Sequence, residues 1–280
     1  WVTSIVQRAA ASQQRINEFL KERPEIVNST VSSKIISGNL SFTNVSFVYP
    51  DTGIKALDNL TFELKEGQTL GVIGKIGSGK STLAELLCRL IDPTSGSIKF
   101  GNDKLAALNL QQLRSHIGYV PQESFLFSDT IFNNIAFGHK NATELQVLNA
   151  AKLALIYDNI MTFKENFNTV VGERGITLSG GQKQRVSIAR AFIRNPKFLL
   201  FDDCLSAVDT ETEELILQNI KKQSLNKTAI IISHRASSLK HAHKIIVLDK
   251  GVIIEQGSHT ELLNLDGEYA SVYKKQLTES

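Results

Sequence analysis

Two hydrophobic periodicities divide the chain. In "LSFTNVSFVYP" and "ALDNLTFELKEGQ" apolar and polar residues alternate, which predicts two antiparallel strands joined through a turn at "PDTG". From Thr69 onward the pattern changes to short, uniformly apolar runs separated by stretches of helical spacing: "TLGVIG", a helix from Lys80 to about Ile91, "FLLFDD" and "TAIIIS". Strands this apolar suit a sheet buried on both faces, so the expected core is α/β, a mainly parallel sheet flanked by helices with an antiparallel β subdomain before it. Between about residues 123 and 195 helical spacing dominates and predicts a helical subdomain. The chain carries no internal repeat and no low-complexity segment.

The first 28 residues follow another rule. Val2, Ile5, Val6, Ala9, Ile16, Phe19 and Leu20 recur at roughly helical spacing until Pro24 ends the pattern. This predicts a helix that stops before the domain begins, either packed on that domain or reaching toward something outside it. A chain opening at Trp1 without an initiator Met is expected to be a fragment, and the Ser-rich residues 29–38 read as a linker.

Composition narrows the classes. A chain of 280 residues with 42% hydrophobic content can bury a sizeable core. Its net charge of +3 and the lack of a long basic run argue against binding nucleic acid through bulk electrostatics. Cys88 and Cys204 are the two cysteines, without metal-ligand spacing, which suits a reducing compartment such as the cytosol. No uninterrupted apolar stretch of about 18 residues is present, so the visible chain is not expected to span a membrane.

The chemistry is local. "GKIGSGKST" satisfies G-x-x-x-x-G-K-[ST] directly after a predicted strand and before a predicted helix, the context that a phosphate-binding loop requires. Gly74, Lys75, Gly77, Ser78 and Gly79 would let the backbone wrap phosphates, and Lys80 would reach the β- and γ-phosphates. Ser81 would bind Mg²⁺, with Thr82 completing the loop. Asp202 and Asp203 end a buried strand, and in P-loop nucleotidases a strand-terminal Asp holds the Mg²⁺ that the loop hydroxyl also binds, which fits Asp202. Ser179, Gly180, Gly181 and Gln182 open another predicted helix, a second place where exposed N–H groups attract phosphate. Two phosphate sites in one chain suggest a sandwich of two chains.

"LSGGQ" together with these motifs resembles the nucleotide-binding domain of an ATP-binding cassette exporter, over residues 39–275. The resemblance implies a RecA-like P-loop NTPase core, ATP with Mg²⁺, and a head-to-tail dimer that closes on ATP. It also implies a fused membrane domain, with residues 1–28 as the cytoplasmic end of its last transmembrane helix, and a place on the cytoplasmic face of a membrane, the bacterial inner membrane in particular. Tyr49 matches the aromatic that stacks on adenine, Gln122 the loop glutamine that touches Mg²⁺ and the lytic water, and His234 the residue that contacts the γ-phosphate. Asp209 matches the loop that crosses the dimer interface, and Glu173 the segment that reports on the membrane domain.

One position departs from the family pattern. Asp203 stands where most cassettes carry Glu as the base that polarises water, and a carboxylate about 1.5 Å short can cost about a hundredfold in rate. The expectation is a weakened hydrolytic site that retains Lys80, Ser81, Gln122, Asp202 and His234. A heterodimer is favoured over a homodimer, because an unaltered "LSGGQ" would complete a competent site on a partner. A nucleotide-gated module with negligible turnover and a soluble cassette ATPase are the alternative readings.

Overall fold

The computed structural model describes residues 1–28, 37–223 and 227–278. Residues 29–36 of the expected linker lie outside the described residues. Helix α1 (Val2–Lys21) forms as its spacing predicts and ends before Pro24, yet it buries none of its residues, so it is not packed on the domain. Strands β1 (Leu40–Val48) and β2 (Lys55–Leu64) pair antiparallel, with Leu40 opposite Leu64 and Phe47 opposite Leu57. Strand β3 (Thr69–Gly74) then runs into the Gly-rich loop and α2 (Lys80–Leu87).

Helix α2 is shorter than its spacing predicts. It stops at Leu87 because Arg89 turns to a left-handed φ of 47°, and the buried Arg89 side chain donates to Asp92 at 3.1 Å and to the Leu108 carbonyl at 3.4 Å. Strands β4 (Ser95–Phe100) and β5 (Asp103–Lys104) complete the antiparallel sheet in the order β2-β1-β4-β5. Next come α3 (Leu110–His116), β6 (Ile117–Val120) and the helical region with α4 (Ile131–Ala136), α5 (Glu144–Leu153), α6 (Tyr157–Met161) and α7 (Gly180–Phe192). Strands and helices then alternate: β7 (Phe198–Asp202), α8 (Thr210–Gln223), β8 (Thr228–Ile232), β9 (Lys244–Asp249), β10 (Val252–Gly257), α9 (His259–Leu265) and α10 (Glu268–Thr278).

The second sheet has the order β10-β9-β3-β8-β7-β6 and is parallel except for the β9–β10 hairpin. Alternate residues of its central strands feed two cores. Leu70, Val72, Leu200, Ile230 and Ile232 join α2 and the antiparallel sheet on one face, while Ile73, Leu199, Phe201 and Ile231 join the helical region on the other. Full burial of each such side chain contributes about 2 kcal/mol, which fixes the register that places the strand ends. Among the described residues no helix is long and apolar enough to cross a membrane.

Candidate functional site

Four adjacent parallel strands deliver the candidate residues to one edge. Gly74 ends β3, His234 follows β8, Asp202 ends β7 with Asp203 next, and Gln122 follows β6. Open α/β sheets bind ligands at these carboxyl ends. Here they border a cleft of about 1390 Å³ that Tyr49, Lys80, Ser81, Gln122, Asp203 and His234 all line.

The Gly-rich loop is held open by its glycines. Gly77 and Gly79 have φ of 78° and 99°, which L side chains adopt only with strain. A Cβ on Gly74 would meet the Leu248 carbonyl at 2.2 Å, and one on Gly79 the Ala56 carbonyl at 2.5 Å. Lys80 Nζ donates to the Gly74 and Lys75 carbonyls at 2.7 and 2.8 Å, so its ammonium lies along the loop. Burial lowers its pKa, opposed by Asp203 and Asp202. Ser78 differs from its loop neighbours: its side chain is buried behind the loop, off the cleft wall, with no hydrogen-bond partner for its hydroxyl.

Asp202 and Asp203 are adjacent and differently placed. Asp202 is 4% exposed, and its hydroxyl partners are Ser81 and Tyr119. Burial and the neighbouring Asp203 raise its pKa to about 6 despite Lys80. Asp203 takes a left-handed φ of 46°, which Asp tolerates better than most residues, and donates its N–H to the Ile232 carbonyl at 2.9 Å. Its Oδ1 lies 2.7 Å from His234 Nδ1, and its Oδ2 accepts from Gln122 Nε2 at 3.4 Å. One short carboxylate therefore gathers two of the predicted residues.

These groups fit a nucleotide with a divalent cation. Lys80 only partly offsets the burial of Asp202 and the charge of Asp203 beside it, and a cation beside Ser81 would offset them further. No cluster of three or more His, Cys, Asp or Glu able to hold a metal occurs among the described residues. Tyr49 lines the cleft with its ring edge-on to Phe47, and its hydroxyl meets Thr82 at 3.0 Å and Glu85 at 3.4 Å.

Ser179, Gly180, Gly181 and Gln182 do not line this cleft. They start α7 with a capping box in which the Ser179 hydroxyl accepts from Gln182 N and the Gln182 side chain accepts from Ser179 N. The turn after the aspartates packs on them, since Gln184 bonds both the Ser206 hydroxyl and the Ala207 N–H. Asp209 caps α8 by accepting from Thr212 N at 2.9 Å, and Glu173 is exposed in a short turn. Sequence reasoning missed Tyr119, which approaches Asp202 from β6, and Glu268, Tyr269 and Val272, through which α10 forms part of the cleft wall.

Comparison with known proteins decides the family: the family described as ABC transporter matches residues 57–206, more than half of the chain. The chain belongs to the ABC transporter family. This cassette is 43% identical over 280 residues to the multidrug resistance-like ATP-binding protein MdlA of Escherichia coli (strain K12), covering 100% of the cassette and 48% of that protein. It is 39% identical over 276 residues to the ATP-dependent lipid A-core flippase of Aliivibrio fischeri, covering 98% and 47%. A bacterial Atm1-family ABC exporter solved with ATP bound superposes with a TM-score of 0.93 at 38% identity, covering 99% of the cassette and 49% of that chain. The cassette thus spans about half the length of the curated relatives it matches.

Proposed function

We propose that this chain is the ATP-binding and ATP-hydrolysing motor domain of an exporter, which couples nucleotide-driven closure of two cassettes to transport by a fused membrane domain. The observation that carries the reading is the convergence of the Gly74–Thr82 loop, Asp202, Asp203, Gln122 and His234 at the ends of four neighbouring strands. In it, Gly77, Gly79 and Lys80 with the start of α2 bind the phosphates, and Tyr49 stacks on adenine. Ser81, Asp202 and Gln122 would hold Mg²⁺, which when bound neutralises charge on the transferred phosphoryl group. Asp203 orients and deprotonates water, and His234, already on Asp203, contacts the γ-phosphate. Residues 179–182 of a head-to-tail partner cover the opposite side with N–H donors, and Asp209 lies at that interface.

Two finer readings go with this. Asp203 is one methylene short of the usual Glu, so turnover at this site is slow, and a partner chain with Glu in a heterodimer supplies the fast cycle. That same residue favours the second reading, a nucleotide-gated module with negligible turnover. The cassette works at the cytoplasmic face of a membrane, a bacterial inner membrane in the first instance, with the exposed apolar residues of α1 continuing into the membrane domain.

Titration with labelled Mg-ATP tests the assignment. Lys80→Ala removes a charge-assisted contact and should weaken binding by about tenfold or more, while Lys222→Ala on the surface should leave it unchanged. Equal affinity for all three proteins would refute the placement of ATP in this cleft.

A further inference from the structure

The last helix ties itself to the His234 turn. Helix α10 presents Tyr269, Val272, Tyr273 and Gln276 at i, i+3, i+4 and i+7, one stripe of a helix face. The first three are apolar or aromatic and pack on the core, Tyr269 fully buried. Gln276 is the polar member, and its amide makes two hydrogen bonds to backbone. Nε2 donates to the His234 carbonyl at 2.8 Å, and Oε1 accepts from the Ala236 N–H at 2.8 Å. One side chain therefore closes a ring around residues 234–236.

The helix that carries Gln276 is itself fixed. Glu255 caps its start, accepting from Glu268 N at 2.5 Å and Tyr269 N at 3.1 Å, in space that a Cβ on Gly267 would fill. The Tyr269 hydroxyl meets His259 Nδ1 at 2.8 Å and donates to the Ala236 carbonyl at 3.4 Å. Residue 236 is thus held from α10 at both its N–H and its carbonyl. The His234 side chain, by contrast, is 51% exposed. An imidazole that open takes its position from its backbone and from its bond to Asp203, since few neighbours pack against it.

We infer that Gln276 is a positioning residue for His234, and that α10 sets the turn from which this imidazole reaches Asp203 and the reacting phosphate. The inference rests on the reading of the cleft as an ATPase site. Loss of the clamp leaves the phosphate-binding loop untouched, so it separates turnover from binding. A side chain displaced by about 1 Å is enough to cost up to a hundredfold in rate.

The test uses the full 280-residue chain and three measurements on the wild type, Gln276→Ala and Gln276→Glu: labelled Mg-ATP binding, steady-state phosphate release, and amide exchange at Ala236. Gln276→Ala should lower kcat roughly tenfold, keep KM and ATP affinity within about twofold, and speed exchange at Ala236. Gln276→Glu keeps an acceptor for the Ala236 N–H and, once ionised, has no donor for the His234 carbonyl. It should therefore restore protection at Ala236 and recover only part of kcat, and it serves if the Ala variant folds poorly. Unchanged kcat per folded molecule, or unchanged exchange at Ala236, would overturn the inference. Failure of the wild type to bind Mg-ATP would instead overturn the reading of the cleft, and with it the role of Gln276.

Discussion

His234 Nδ1 lies 2.7 Å from Asp203 Oδ1, so the turns that follow β8 and β7 meet through side chains as well as through the sheet. The backbone supports the pair. Asp203 N–H donates to the Ile232 carbonyl, which fixes the aspartate by the strand that carries the histidine. Gln122 approaches the other carboxylate oxygen from β6. Asp203 is thereby held between His234 and Gln122, and in the proposed ATPase its length would decide how far it reaches toward a lytic water.

Assembly makes the first prediction. A Cβ on Gly181 would lie 2.7 Å from the Ala207 carbonyl, so Gly181→Ala must push the start of α7 off the turn that follows the aspartates. Overpacking of this kind should cost about 1–3 kcal/mol in thermal or chemical unfolding. In sedimentation with Mg-ATP the wild type should form a weak, ATP-dependent dimer, and the variant should stay monomeric. An undiminished dimer would separate the α7 start from the interface.

At the cleft mouth, Glu268 forms an ion pair with Lys75 at 2.9 Å, and the hydrogen bond between them raises the lysine pKa. Lys75 is 72% exposed and its ion pair is screened by solvent, so Glu268→Gln should leave stability nearly unchanged. It removes an anion beside the path of an anionic ligand and should tighten Mg-ATP binding by about two- to fivefold at low salt, less at high salt. Weaker binding would mean that Glu268 assists the nucleotide.

A pH effect follows from His259, whose Nδ1 meets Tyr269 and whose ring packs edge-on against Tyr269 and Tyr273. Burial, with a smaller contribution from Lys240, lowers its pKa below 6.5, so the unfolded chain takes up a proton more readily than the fold does. The stabilisation is complete above pH 6.5 and is lost as pH falls through the lowered folded value. The wild type should therefore lose Tm faster than His259→Gln from pH 7 downward. Parallel Tm curves would remove His259 from the account.

What the sequence made legible was local. The backbone at Gly74–Thr82 and the helix start at Ser179–Gln182 read directly, because a Gly-rich loop between strand and helix and a helix N-terminus are each written in consecutive residues. Asp202 and Asp203 read from the end of an apolar run, as β7 confirms. Tyr119 did not, because its bond to Asp202 depends on the pairing of β6 with β7, which no local pattern states. Gln276 was missed for a similar reason: a lone glutamine on a terminal helix has meaning only once the turn at 234–236 is in place against it. The end of α2 at Leu87 is overrun because Arg89 is an ordinary helix former, and its left-handed turn is stabilised by Asp92 three residues on and by the distant Leu108 carbonyl.

Steady-state phosphate release at saturating Mg-ATP tests the role of Asp203 most directly, with protein concentration varied to separate dimerisation from catalysis. Asp203→Glu lengthens the carboxylate at a left-handed backbone position that suits Asp better, so it should lower stability by about 1 kcal/mol while raising turnover at equal dimer content. Asp203→Asn keeps the length, removes the base, and should reduce the remaining release. Faster release from the Glu variant is the predicted result. Slower release from it would contradict the weakened-site account and leave a self-sufficient dimer in which Asp203 is already the working base.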